Sequence, residues 1–172
     1  MGSVSRSRLV LGLSAEAFLG FAMFRVEVTG VFSAAHAISI GGRRERLHGH
    51  DWHVTAVVEG SELDDDGLLV DFHALELSLG ALCARFHNGN LNETPPFDQV
   101  NPTAERVAEF LAHELEQSLR SQAVSSSGLE AQTVFGRKTI SGPDDAMSQL
   151  SRVVSVRVTE AIGCAATCIL PE

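Results

Sequence analysis

The stretch Arg46-Leu47-His48-Gly49-His50-Asp51-Trp52-His53, read together with Phe32-Ser33-Ala34-Ala35-His36 upstream of it, decides how this chain is built. Side chains at i and i+2 of an extended strand share a face, so His48 and His50 present their imidazoles side by side. His36 ends another run of strand character. If the two runs pair antiparallel through the Gly41-Gly42-Arg43-Arg44 connection, a third imidazole comes within reach. Three neutral imidazoles with one open position describe a catalytic zinc site, in which the vacant position polarises a substrate oxygen or activates water. An isolated His-x-His pair is more often structural or solvated than metal-binding, so spacing alone leaves both readings open.

Outward from this pair the periodicities are regular. Phe24, Val26, Val28, Phe32, Ala34 and His36 fall on one face of a strand, with Arg25, Glu27 and Thr29 on the other. Val54, Ala56 and Val58 continue in phase with His48 and His50, which puts His53 on the opposite, exposed face. Asp64-Asp65-Asp66-Gly67 supplies an acidic turn. Asp71 is a good N-cap, and Phe72, Leu75, Leu79, Leu82 and Phe86 recur at helical spacing as a core stripe. The polar segment from His87 to Glu93 and Pro95-Pro96 must be crossed without regular structure. Asn101-Pro102-Thr103-Ala104-Glu105 then opens a second helix, with Val107, Phe110, Leu111 and Leu115 as its apolar face. His73 and His113 lie on these helices, away from the His-x-His pair.

Residues 121–150 are rich in turn formers and read as a long loop, with a short strand expected at Gln132–Phe135. Val154, Val156, Val158 and Glu160 share a face of a third long strand, and a glutamate completing an apolar stripe calls for a partner. Ala161–Leu170 closes a hairpin through Ile162-Gly163. The order strand, strand, helix, helix, strand, strand gives an α+β fold, a four-stranded antiparallel sheet with two helices on one face. Its open edges invite pairing between subunits.

Composition bounds the remaining possibilities. At 172 residues and 18.4 kDa the chain suits one domain, over residues 23–172, preceded by a 1–22 extension of unclear role. That extension carries Arg6 and Arg8 before an apolar run, like a signal peptide, but Glu16 interrupts it, and no stretch is long enough to span a membrane. Net charge is −9 with a single lysine, Lys138, which makes nucleic acid an unsuitable partner. Three cysteines, Cys83, Cys164 and Cys168, give no even disulfide framework and favour a reducing cytoplasm. Cys164 and Cys168 read as small core residues.

Taken together, these segments resemble the 6-pyruvoyltetrahydropterin synthase and 6-carboxytetrahydropterin synthase family. The resemblance rests on Phe32–His36, Leu47–Trp52, Val70-Asp71-Phe72, Leu91-Asn92, Pro95-Pro96-Phe97, Asn101–Glu105 and Val156–Glu160, and it covers Met23 to Leu170. It implies the tunnelling fold, with subunit sheets joined into a barrel as a homo-oligomer, a trimer or hexamer. It implies Zn2+ on His36, His48 and His50, and a pterin anchored by Glu160 with Thr103 and Glu105 nearby. The implied chemistry is lyase chemistry on 7,8-dihydroneopterin triphosphate or a close relative.

Against the family pattern, no cysteine precedes His48 in Gly41–Arg46, and the family's Asp-His helper pair is replaced by His87-Asn88. One variant class of the family carries a glutamate where the cysteine stood and releases 6-hydroxymethyl-7,8-dihydropterin, and Glu45 falls at that position. Glu45 is thus a catalytic base or a charged loop residue among Arg43, Arg44 and Arg46, which would suit either a triphosphate or solvent. His87 is a substitute proton shuttle or a helix C-terminal cation. The competing functional readings are a pterin- or purine-binding homologue without the standard synthase activity, and a structural metal protein.

Overall fold

The structure is a computed structural model, and it describes residues 22–129 and 151–171. The 1–21 segment and the strand expected at Gln132–Phe135 lie outside the described residues.

Two long strands carry the first half, β1 (Phe24–His36) and β4 (His48–Gly60). They pair antiparallel without a slip from Phe24 opposite Gly60 to His36 opposite His48. Between them, β2 (Ser39–Ile40) and β3 (Arg43–Arg44) form a separate two-stranded hairpin. Its turn, Gly41-Gly42, has φ of 56° and 79°, the left-handed pair that a tight two-residue hairpin turn needs and that glycine adopts without strain.

After helix α1 (Phe72–Ala84), the two-residue β5 (Gly89–Asn90) lies parallel to β1. Helix α2 (Ala104–Leu129) follows, and β6 (Arg152–Ala161) and β7 (Cys164–Ile169) close the sheet as an antiparallel hairpin. The sheet order is β5-β1-β4-β6-β7. The fold class is α+β as expected, but the sheet is five-stranded and mixed. The polar segment after α1 supplies the extra strand, because Asn88 donates its backbone N–H to Ser33 at 2.7 Å and thereby lays Gly89 beside β1.

The inward positions of β1, β4 and β6 meet both helices on one face, with Phe32, Trp52, Val54, Ala56, Val156 and Val158 fully or nearly fully buried. Phe32 and Trp52 stack with ring centroids 5.8 Å apart and planes 2° from parallel. The Trp52 indole N–H donates to the Ala34 carbonyl at 3.2 Å, which satisfies its one polar group in the core. Truncating such a tryptophan costs about 3–5 kcal/mol. Gly30 lets α1 approach closely, since a Cβ there would lie 3.1 Å from the Cys83 sulfur.

Three expectations need correction. Asp71 does cap α1, accepting from the His73 backbone N–H at 2.9 Å, and Leu75, Leu79 and Phe86 are buried, but Phe72 is half exposed. It sits in the first turn, beyond the edge of the sheet-facing stripe. Second, α2 continues through Leu129 into the stretch expected as loop. Leu119 carries the apolar stripe one turn further onto the core, and neither proline nor glycine interrupts the run before Gly128. Third, Cys164 is exposed and Cys168 half buried, because β7 is an edge strand starting at the hairpin turn.

Candidate metal centre and its surroundings

The unbroken β1–β4 register converts the sequence spacing into a cluster. His36 and His48 are direct cross-strand partners, and His50 lies opposite Ala34 one step further in. The next strand, β6, follows β4 from Val57 through the Val54–Val158 and His53–Thr159 pairs, so its end delivers Glu160 to the same place. One ligand atom from each of His36, His48, His50 and Glu160 lies within 4.8 Å of all the others.

Two of the three rings are aimed by backbone carbonyls. His36, almost fully buried, has Nδ1 2.8 Å from the Pro102 carbonyl, and His48 has Nδ1 2.7 Å from the Arg46 carbonyl. A carbonyl oxygen only accepts, so both rings carry their proton on Nδ1 and leave the Nε2 lone pair free. Outer-sphere carbonyls of this kind fix the tautomer of metal-ligating histidines. The Nε2 atoms of His36 and His50 are buried without a hydrogen-bond partner, although Glu160 Oε1 lies only 2.8 and 3.1 Å from them.

A carboxylate this close to two ring nitrogens needs a proton or a metal ion to offset its charge. Burial pushes His50 below the ordinary imidazole range, Glu160 pulls it back up, and His36 and His48 push it down again. That balance favours neutral, ligating imidazole over imidazolium. Zinc takes nitrogen ligands at about 2.0–2.1 Å, so its ligand shell is roughly 4 Å across, a scale comparable to the 4.8 Å within which the donor atoms lie. The donor set fits zinc. Three imidazoles leave one position, and Glu160, which the resemblance casts as the pterin anchor, stands beside it in the chain alone.

The other candidate residues are not drawn into the cluster. Thr103 and Glu105 occupy the start of α2, one and three residues past the Pro102 carbonyl that holds His36. The Thr103 hydroxyl accepts from the Arg106 N–H at 3.4 Å, and Glu105 is held below the usual carboxylate range by its own backbone N–H and then by the Thr103 hydroxyl. Glu45 follows the β2–β3 hairpin and donates its backbone N–H to the Ile38 carbonyl at 2.9 Å; its exposed carboxylate has no partner among the described residues. His87 lies beside β1 at Ser33, whose backbone N–H donates to His87 Nδ1 at 3.2 Å. Nδ1 is therefore an acceptor, the neutral ring keeps its proton on Nε2, and taking up a proton at Nδ1 would break that bond. Ser33 also donates its hydroxyl to Asp51 at 2.5 Å, beside a cavity of about 390 Å³ that includes Asn88, held at φ 59°.

Two positioning residues escaped the sequence reading. Past His36 the chain leaves β4, and its peptide groups need other partners. Asn92 accepts from the Ala37 N–H at 2.7 Å and donates to the Ala37 carbonyl at 2.9 Å. Asn101 treats Ser39 in the same way, at 2.9 and 3.1 Å. Both asparagines stand in motifs that the sequence singled out, but nothing in the sequence pairs them with residues 37 and 39.

The sequence pattern of 6-pyruvoyl tetrahydropterin synthase matches residues 25–134, which span β1, β4, both helices and all three histidines of the cluster. The chain belongs to the 6-pyruvoyl tetrahydropterin synthase family. Among curated family relatives, it is 36% identical over 85 residues to the 6-carboxy-5,6,7,8-tetrahydropterin synthase of Bacillus subtilis, a match covering 46% of this chain and 56% of that one. It is 30% identical over 95 residues to the dihydroneopterin monophosphate aldolase of Pyrococcus furiosus, covering 55% of this chain and 77% of the relative. The chain thus spans only about half of the Bacillus enzyme it matches. Solved structures share the family fold at low identity. Caenorhabditis elegans 6-pyruvoyl tetrahydropterin synthase superposes with a TM-score of 0.62 at 17% identity, over 87% of this chain and 97% of that one. A Plasmodium vivax 6-pyruvoyltetrahydropterin synthase with a catalytic glutamate replaced by alanine gives 0.60 at 14% identity, over 86% and 98%.

Proposed function

We propose that this protein is a zinc-dependent lyase that acts on 7,8-dihydroneopterin bearing a phosphate ester, with Glu45 in place of the usual cysteine base. The observation that carries the reading is the pair of buried, partnerless Nε2 atoms converging on Glu160. His36, His48 and His50 would hold zinc, which would bind the substrate's side-chain hydroxyls and make them more acidic. Glu160 would accept from the pterin's amino and ring N–H groups as a two-pronged acceptor, with Thr103 and Glu105 lining the same pocket.

Glu45 is the only carboxylate in the connection between His36 and His48, and its free side chain suits a base that takes the proton of a side-chain hydroxyl. Loss of that proton lets the neighbouring carbon–carbon bond break. The released fragment leaves as an aldehyde, and the electron pair passes into the pterin ring, which is reprotonated to 6-hydroxymethyl-7,8-dihydropterin. An aldolase among the curated relatives and a catalytic glutamate in the Plasmodium vivax relative support this reaction over the cysteine-dependent ones. His87, whose Nδ1 is taken by the Ser33 N–H, would use Nε2 as the substitute proton shuttle. The open edge at β7, where Ile169 is exposed, suits pairing with another copy into a homo-oligomer.

The test is a product assay by mass spectrometry on zinc-loaded protein, with 7,8-dihydroneopterin triphosphate and monophosphate as substrates. 6-Hydroxymethyl-7,8-dihydropterin is expected, and its formation is expected to fall at least about a hundredfold in Glu45→Ala with zinc content unchanged. Pterin binding without turnover by the wild type would overturn the lyase reading in favour of a binding homologue, the alternative that the missing Cys-Asp-His relay supports.

A further inference from the structure

Four arginines of this acidic chain are matched to carboxylates. Arg25 pairs with Glu59, Arg85 with Glu114, Arg106 with Glu109 and Arg120 with Glu116. Arg43, Arg44 and Arg46 break the pattern. They fall within four residues, all are exposed, and among the described residues none has an ion-pair partner, Glu45 included. In a chain of net charge −9, a cluster of unneutralised guanidinium groups is a local reversal of the field.

The cluster sits on a fixed support. Its hairpin is closed by the Gly41-Gly42 turn, clamped at Ser39 by both ends of the Asn101 amide, and tied by the Glu45 N–H to the Ile38 carbonyl. Both of its roots are members of the metal cluster, since His36 precedes it, His48 follows it, and the two are cross-strand partners. Arg46 is coupled to the centre directly, its carbonyl holding His48. The arginines are thus carried on the connection between two of the site's histidines, where the far end of a bound substrate could meet them.

We infer that the Arg43, Arg44 and Arg46 hairpin is the phosphate-binding arm of the site, recognising the phosphate ester at the end of the substrate's side chain. Guanidinium groups match phosphate oxygens two at a time and stay charged at every working pH, which suits a group carried outward from a metal centre. The inference rests on the proposed phosphorylated substrate but concerns different residues, so the two can fail separately.

The test is calorimetric binding to the zinc-loaded full chain, at low and high salt, of 7,8-dihydroneopterin, its monophosphate and inorganic tripolyphosphate, with zinc content checked before and after each titration. The phosphate is expected to raise affinity about tenfold or more at low salt, the scale of one or two charge-assisted hydrogen bonds. Arg43→Gln/Arg44→Gln should erase that increment and weaken tripolyphosphate equally, while leaving affinity for unphosphorylated 7,8-dihydroneopterin as it was. The Lys versions should restore part of it. Arg157→Gln, an exposed arginine of β6 with no ion-pair partner among the described residues, should change nothing.

A phosphate increment that survives Arg43→Gln/Arg44→Gln and Arg46→Gln together would overturn the inference. So would a wild type that binds the pterin with no gain from phosphate, or one that prefers an RNA oligonucleotide to tripolyphosphate. If no pterin binds but tripolyphosphate binding depends on these arginines, the arm stands and the pterin reading falls.

Discussion

The candidate metal cluster and the residues proposed to handle protons come out differently. His36, His48, His50 and Glu160 stand on three paired strands and converge to within 4.8 Å. Glu45 and His87 stand on segments that leave the sheet, and neither joins them. The difference is one of support: a side chain on a paired strand inherits the register of its neighbours, whereas one on a connection is placed by a few individual hydrogen bonds. The part of the site that holds is built into the sheet. The part proposed to react is carried on its margin.

The largest effect should come from striking the built-in part. His36→Ala or His48→Ala is expected to weaken zinc binding by more than about a hundredfold, beyond the 10–100-fold that loss of an outer partner costs, whereas Glu45→Ala and His87→Ala should leave zinc affinity as it was. Competition with a chromogenic chelator reads all four. Equal losses on both sides would erase the contrast, and a wild-type affinity in His36→Ala would remove the metal centre altogether.

An intermediate effect is expected at the junction of the two parts. Asn101→Ala leaves both peptide groups of Ser39 unpaired and loosens the residue before the Pro102 carbonyl that aims His36. Zinc affinity should drop about tenfold or somewhat more, and amide exchange at Ser39 and Glu45 should quicken while β4 stays protected. Exchange unchanged at Ser39 would show that the hairpin is held by something other than this clamp.

The smallest effect concerns the start of α2. Glu105 is held below its ordinary 4.5 by its own backbone N–H and the Thr103 hydroxyl, so it contributes stability above pH 4.5 that is lost as pH falls through the lowered value. Because the group is exposed, the contribution is small. Glu105→Gln should slightly flatten the acid limb of the thermal midpoint against pH and leave it unchanged near neutrality. If Glu105 faces a pterin N–H, bound pterin should deepen the same limb in the wild type and not in Glu105→Gln.

Much of this molecule was legible along the chain because its long elements repeat. The period-two faces of β1, β4 and β6, the Asp71 cap and the Leu75–Leu79–Phe86 stripe are each carried by several residues that agree. Glu160 could be recognised as needing a partner because it ends an apolar stripe. The misses were elements where few residues vote or where a neighbour decides. β5 is two residues long and exists because Asn88 finds Ser33; α2 runs on past the expected boundary because no proline or glycine stops it before Gly128; Cys164 is exposed because, among the described residues, β7 is an edge strand.

The set of side chains and the face each one takes can be read along the chain, since alternation along a strand and recurrence along a helix are properties of the local backbone. Which of them meet is settled by the assembled fold. That His36 lies opposite His48, that Glu160 closes on two ring nitrogens, and that the Pro102 carbonyl and the two asparagines hold the chain just past His36 all depend on register and on segments distant in sequence. Such contacts are fixed by cooperative packing of the whole sheet against its helices, and no local rule contains them.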